Sequence, residues 1–213
     1  MTASKDPWTS SGMKVNNARL EAPVRDFLQS LVGERDAHAK FMNMLSMLEH
    51  MGSRKIMVSQ MNKCLTEDIL KHLAEEARHA YFFKRQAERL AKKSLDGYTD
   101  QNTMSRVPAL MYFGRMDAGI AQRVEGDAYP WVSLIIELRA CWLYAIYQSV
   151  LEKSDLHISL KSLLAEEDMH LAEMFALSGS DEAKLRELSG YETELFEKLW
   201  NTLCTTSQVA QAA

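Results

Sequence analysis

The chain has 213 residues, of which 46% are hydrophobic and 25% are charged, and its formal net charge is −4. This length suits one domain with its own core, and the mild negative charge gives no reason to expect nucleic acid or an anionic membrane as a partner. Only 9 Gly and 4 Pro occur, while Leu, Ala, Glu and Met are abundant, so the composition favours an all-α protein.

The N-terminal residues 1–22 are polar and unpatterned, and we expect a flexible lead-in there. They contain no apolar signal-peptide core, and the most apolar run, 132–151, is interrupted by Glu137 and Arg139, so we expect neither export nor a membrane span. Three cysteines lie far apart without a CxxC pair: Cys64, Cys141 and Cys204. Their spacing fits a reducing cytoplasm but leaves their reactivity open.

A helical domain is predicted over 23–205, with five main helices. The first begins near Pro23 or Gly33 and ends near Gln60, and the second runs over about 66–94 with Thr66 as its N-cap. The third spans about 130–153. Ser154 and Asp155 are expected to cap the fourth, which ends near 178.

The fifth predicted helix covers about 180–205, with an amphipathic face and no buried charge, and residues 206–213 are expected to be a disordered tail. Residues 96–128 form a long connection that is partly helical in pattern around 107–124. Two short helix–helix links separated by one long connection predict a four-helix bundle with one crossover and an extra C-terminal helix.

Two of these helices carry the same interruption of an apolar stripe. Glu76 and His79 form a Glu-x-x-His pair on the second helix, and Glu167 and His170 form another on the fourth. Residues three apart are neighbours on a helix surface, so each pair presents a carboxylate and an imidazole in one direction. An unpaired charge on an apolar face is costly, so these groups need partners.

The other two bundle helices each carry a glutamate on the apolar stripe, Glu49 and Glu137. The midpoint of positions 49 and 76 falls just before Thr66, and that of 137 and 167 falls beside Ser154. Side chains symmetric about a short loop lie level on antiparallel helices. Glu34 and Asp36, the rival positions, would put the turn inside residues 53–57, where turn chemistry is weak.

Four carboxylates and two imidazoles at one level require positive charge, and two divalent cations would supply it. The predicted metal ligands are Glu49, Glu76, His79, Glu137, Glu167 and His170. Mixed oxygen and nitrogen ligands suit iron or manganese better than calcium or a structural zinc. The alternative is a pair of buried Glu–Arg or Glu–His ion pairs. Arg78 and Arg139 could serve as the cations, but each is two positions from its helix's glutamate and should point elsewhere.

This pattern resembles the ferritin-like di-iron carboxylate superfamily, over about residues 33–178, with EEARHA at 75–80 typical of the group. The resemblance implies that Glu76 and Glu167 bridge two irons. Glu49 with His79, and Glu137 with His170, would then complete one iron each. Without CxxC pairs the rubredoxin module of rubrerythrins is missing, and the long crossover is closer to small oxygen-using oxidases and oxygenases than to bacterioferritins.

The expected function is therefore oxidation of an apolar organic substrate with O2, with an external electron donor or the substrate supplying electrons. A ferroxidase or iron-storage protein and a manganese site of catalase type remain alternatives, because ligand residues do not separate iron from manganese. A homodimer is expected.

The sequence does not decide the roles of several residues near the predicted ligands. His38 and His72 lie on the helix stripes and are either close to the metal or ordinary core residues, whereas His50 and His157 are expected at the surface. Aromatic residues at helical spacing, including Tyr144 and Tyr147, are more simply packing. Glu75, Glu166 and Asp168 are expected to be solvated.

Overall fold

The computed structural model describes residues 6–61, 63 and 65–212, with side chains up to residue 206. Within these ranges the chain forms eight helices and no strand, so the predicted all-α class is confirmed. The helices are α1 Pro7–Ser11, α2 Met13–Gly33, α3 Arg35–Gln60, α4 Glu67–Ala91, α5 Arg106–Ala121, α6 Tyr129–Leu151, α7 Lys161–Leu177 and α8 Glu182–Ala212.

The chain divides into two compact units. One, the α3–α4 unit, comprises Gln29–Phe113 and Leu199–Ala213, and the other, the α6–α7 unit, comprises Met1–Leu28 and Gly114–Lys198. In one unit α3 packs against α4, and in the other α6 packs against α7, which also contacts α1. These are the two pairs that the sequence predicts to be joined by short links.

In the α3–α4 unit, the start of α4 follows from local chemistry. The Thr66 hydroxyl accepts a hydrogen bond from the Ile69 N–H at 3.3 Å, and Glu67 and Asp68 lie in the first turn, where acidic groups complement the helix dipole. The two helices bury an apolar face that includes Phe41, Met42 and Phe83, each 0% exposed. Hydrophobic burial is therefore the main force joining α3 and α4.

Polar contacts tie the connection after α4 to the same unit. Asn43 donates to the Asn102 carbonyl at 3.0 Å, and Lys84 donates to the carbonyl of Leu95. Ser46 donates to the Ala80 carbonyl at 2.7 Å, which links α3 directly to α4. Burial lowers the pKa of Lys84.

The α6–α7 unit is built around α6, the helix with the most apolar sequence. It is long and apolar enough to cross a bilayer, the one such helix among the residues that the structure describes. Of its most apolar window, 78% is buried inside the protein, as in the core helix of a globular fold. Gln148 accepts a hydrogen bond from the Leu160 N–H at 2.6 Å and thereby holds the α6–α7 connection.

The amino-terminal residues differ from the prediction of a flexible lead-in, because residues 7–11 and 13–22 are helical. Asp6 caps α1 by accepting from the Trp8 and Thr9 N–H groups, both at 3.3 Å. In α2 the buried stripe passes through Met13, Asn17 and Leu20. Asn17 interrupts the apolar pattern but is satisfied by donating to Thr193 at 3.1 Å, which the sequence does not reveal.

Of the two starts predicted for the first helix, the one near Gly33 agrees with α3, which begins at Arg35 and ends at Gln60. Two further expectations differ from the structure. The helix α8 continues through 206–212, where a disordered tail was expected. The helix α7 begins at Lys161, because the Ser154 hydroxyl donates to the Leu151 carbonyl at the end of α6 instead of capping α7. The helical segment predicted within the long connection is confirmed as α5.

Candidate metal centre

The first cluster of predicted ligands lies between α3 and α4. Glu49, Glu76 and His79 are 6%, 3% and 2% exposed. One ligand atom from each lies within 4.8 Å of the others, and Nδ1 of His79 is 4.0 Å from Oε1 of Glu76. Two carboxylates and an imidazole thus converge in a buried position of the α3–α4 unit.

Close approach of Glu76 to α3 depends on a glycine. A Cβ placed at Gly52 would lie only 2.6 Å from Oε2 of Glu76, closer than non-bonded atoms normally approach. Gly52 is one helical turn after Glu49, so the missing side chain leaves room for the second carboxylate beside the first. Helix spacing puts Gly52 on the same face as Glu49, but only the tertiary structure shows that it lies against Glu76.

The second cluster lies between α6 and α7. Glu137, Glu167 and His170 are each 1% exposed. Nδ1 of His170 is 3.8 Å from Oε1 of Glu137 and 3.6 Å from Oε2 of Glu167. All six predicted ligands are therefore buried, three in each unit, with the same residue types in both.

The separations within the clusters suit metal ligands better than direct hydrogen bonds. An N–H···O hydrogen bond is about 2.7–3.2 Å long, shorter than the 3.6–4.0 Å measured here. Two ligands bound to one ion at about 2.0–2.2 Å are separated by about 3–4 Å, depending on their angle. The buried histidines and glutamates therefore form groups that could hold a metal ion.

The arginines that offered an alternative to metal contact other carboxylates. Arg139 makes a two-pronged ion pair with Glu192 of α8, at 2.8 and 2.6 Å, and donates to Asn17 at 2.9 Å. Arg78 lies 3.7 Å from Glu75. Both arginines therefore point away from the predicted ligands, as helix geometry requires.

These pairs correct two sequence-based expectations. Glu192 is 0% exposed, although no buried charge was predicted on the fifth helix. Glu75, expected to be solvated, is 7% exposed and lies 4.0 Å from Lys71. Each carboxylate is buried because a long cationic side chain reaches it, and that partner is not visible as a helix stripe in the sequence.

The remaining candidates fall into buried and exposed sets. His38 and His72 are buried, and burial lowers the pKa of His38 to about 4. Tyr147 is fully buried and burial raises its pKa well above the usual value, whereas His50 and His157 are exposed as predicted. Glu166 is half-buried and Asp168 is exposed.

Cys141 is a residue near the second cluster that sequence reasoning did not assign. It lies one turn after Glu137, is 2% exposed, and its thiol is 3.7 Å from a carboxylate oxygen of Asp168. Burial, followed by the negative charges of Glu167 and Asp168, raises the pKa of the thiol. Cys141 is thus a buried core residue beside the second cluster. Cys64, the first of the three cysteines, lies outside the described residues.

Comparison with known proteins does not assign the chain to a group. No family model matches it. Neither the search of characterised proteins nor that of solved structures found a match. The chemistry must therefore be argued from the residues themselves.

Proposed function

We propose that the protein is a ferritin-like di-iron oxidase or oxygenase in which the two clusters together hold two metal ions. The observation that carries the proposal is the repetition of one buried ligand set. In each unit a Glu-x-x-His pair on one helix lies with a glutamate of its partner helix, away from solvent. Chance burial of one such set is plausible, but two equal sets are difficult to explain without a shared ligand.

Charge supports two divalent cations. The four buried glutamates would carry four negative charges at neutral pH, and burying even one uncompensated carboxylate is unfavourable by several kcal/mol. Two divalent ions neutralise four carboxylates while the imidazoles remain neutral ligands. Arg139, the nearest cation in sequence to Glu137, is already paired with Glu192 at 2.6 Å.

The donor set favours iron, with manganese as the alternative. Imidazole nitrogens suit iron better than manganese, carboxylate oxygens are accepted by both, structural zinc usually takes four ligands and calcium prefers oxygen alone. By its resemblance to the ferritin-like superfamily, we assign Glu76 and Glu167 as bridging ligands. Glu49 with His79, and Glu137 with His170, would complete one iron each.

Iron bound in this way would supply O2 activation, and the protein would supply the surroundings. Burial of the ligands excludes bulk water, and Gly52 leaves space for the Glu76 carboxylate. The ligands interrupt otherwise apolar helix faces, which would favour an apolar organic substrate over a charged one. Electrons would come from an external donor or from the substrate, and a cytoplasmic homodimer is the expected form.

Elemental analysis of protein purified without added metal tests the proposal. We expect two irons per chain in the wild type and loss of both in Glu76→Ala and His170→Ala variants that keep wild-type helical circular dichroism. Oxygen consumption with candidate apolar substrates would follow. Two manganese ions would redirect the work to peroxide, and a many-subunit shell that stores iron would favour the ferroxidase alternative. A folded wild type without metal would refute a metal centre.

A further inference from the structure

One buried histidine is not among the six proposed ligands. His72 lies on α4, one helical turn before Glu76, and is 3% exposed. The sequence alone allows two interpretations of His72, a residue close to the metal or an ordinary core residue. Its position within the α3–α4 unit now distinguishes these roles.

The His72 ring faces the same carboxylate oxygen as His79. Nε2 of His72 is 3.7 Å from Oε1 of Glu76, and Nδ1 of His79 is 4.0 Å from that oxygen. Both separations are too long for a hydrogen bond, and each fits a histidine and a carboxylate bound to one metal ion. His72 and Glu76 belong to one group of potential ligand atoms lying within 4.8 Å of one another, and His79 and Glu76 belong to a second such group.

The corresponding position of the other Glu-x-x-His helix shows that packing does not require histidine there. Leu163 lies four residues before Glu167, as His72 lies four residues before Glu76, and it is buried at 4% exposure. A leucine thus fills this position in α7 by hydrophobic burial alone. Burying an imidazole costs more than burying an aliphatic side chain, so packing by itself does not account for the choice of histidine at position 72.

We propose that His72 is a third histidine ligand of the metal centre, binding through Nε2, an inference that rests on the proposed di-metal function. Its consequence is an unequal centre, in which His72 adds a nitrogen that Leu163 does not supply. Because imidazole suits iron better than manganese, while carboxylates suit both, the extra nitrogen would favour iron.

Cobalt(II) gives a direct count of histidine ligands in the full chain. Each imidazole bound to this paramagnetic ion retains one ring N–H, whose proton resonance is strongly shifted and disappears in deuterated water. We expect three such resonances in the wild type, from His72, His79 and His170. Two resonances with two bound cobalt ions would overturn the inference and leave the proposed function intact. Absence of cobalt binding would instead refute the metal centre itself.

Variants provide an independent test. His72→Gln should remove one resonance and alter the visible absorption of bound cobalt. It should also weaken the binding of one of the two cobalt ions by about tenfold or more. In His72→Ala, added imidazole should restore the absorption, which a purely structural histidine would not allow. His38→Gln is the matched control, since it replaces another buried histidine and should retain all three resonances. Wild-type resonances and absorption in a folded His72→Gln variant would contradict the inference.

Discussion

The α3–α4 and α6–α7 pairs carry the same ligand types, yet they differ at two positions beside the ligands. The residue four before the Glu-x-x-His glutamate is His72 in one pair and Leu163 in the other. The residue three after the partner glutamate is Gly52 in one and Ala140 in the other. The comparison teaches that the repeated ligands set the charge, while their neighbours determine how much room and how many nitrogens each helix pair offers.

The largest expected effect is loss of the metal when the glutamate of either Glu-x-x-His pair is replaced. In the proposed centre Glu76 and Glu167 would each bridge both ions, so Glu76→Ala and Glu167→Ala should each reduce bound iron from two ions to none. Metal content by elemental analysis measures this, with Glu75→Gln as a control for a neighbouring buried carboxylate. Retention of one ion in either variant would show that the two pairs bind metal independently.

The second effect concerns stability of the α6–α7 unit. Arg139→Ala should lower the free energy of unfolding by about 3–5 kcal/mol, because it leaves Glu192 as an uncompensated buried charge. The double variant Arg139→Met with Glu192→Leu should recover most of this loss. Denaturant unfolding of both variants without metal provides the measurement, and equal destabilisation of the two would contradict the account.

The third effect is a pH dependence specific to the α3–α4 unit. Burial lowers the pKa of His38 from 6.5 to about 4, so the unfolded chain binds this proton more readily than the folded chain does. The stabilisation is complete above pH 6.5 and is lost as the pH falls towards 4, by up to about 3 kcal/mol. The unfolding free energy of the wild type should therefore approach that of His38→Gln as the pH falls from 6.5 to 4. A constant difference would refute the assignment.

The smallest expected effect concerns the space beside the Glu76 carboxylate, which depends on the absence of a side chain at Gly52. Gly52→Ala should weaken metal binding by about 10–100-fold, since the new methyl displaces a carboxylate oxygen that lies within 2.6 Å. Because alanine favours the helix by up to about 1 kcal/mol, the metal-free protein should be no less stable. Isothermal titration measures the expected loss of metal affinity, and denaturant unfolding measures the unchanged or increased stability of the metal-free protein. Gly114→Ala, where nothing lies within 4 Å, should keep wild-type affinity.

Much of the helical architecture could be predicted from local patterns. The second and third predicted helices match α4 at Glu67–Ala91 and α6 at Tyr129–Leu151, because Thr66 caps one and Pro130 lies in the first turn of the other. The prediction was least successful where a polar residue occupies an apolar stripe. Asn17 obscured α2, and Ser154 was assigned to the wrong helix end.

The sequence by itself determined the all-α class and selected six charged or imidazole side chains that prove to be buried, because periodicity and Glu-x-x-His spacing are local properties. Only the tertiary structure decided that Arg139 pairs with Glu192, that Gly52 admits the Glu76 carboxylate, and that His72 faces the same oxygen as His79. These facts depend on side chains from distant positions or on rotamer direction, which helix packing selects and local spacing does not encode.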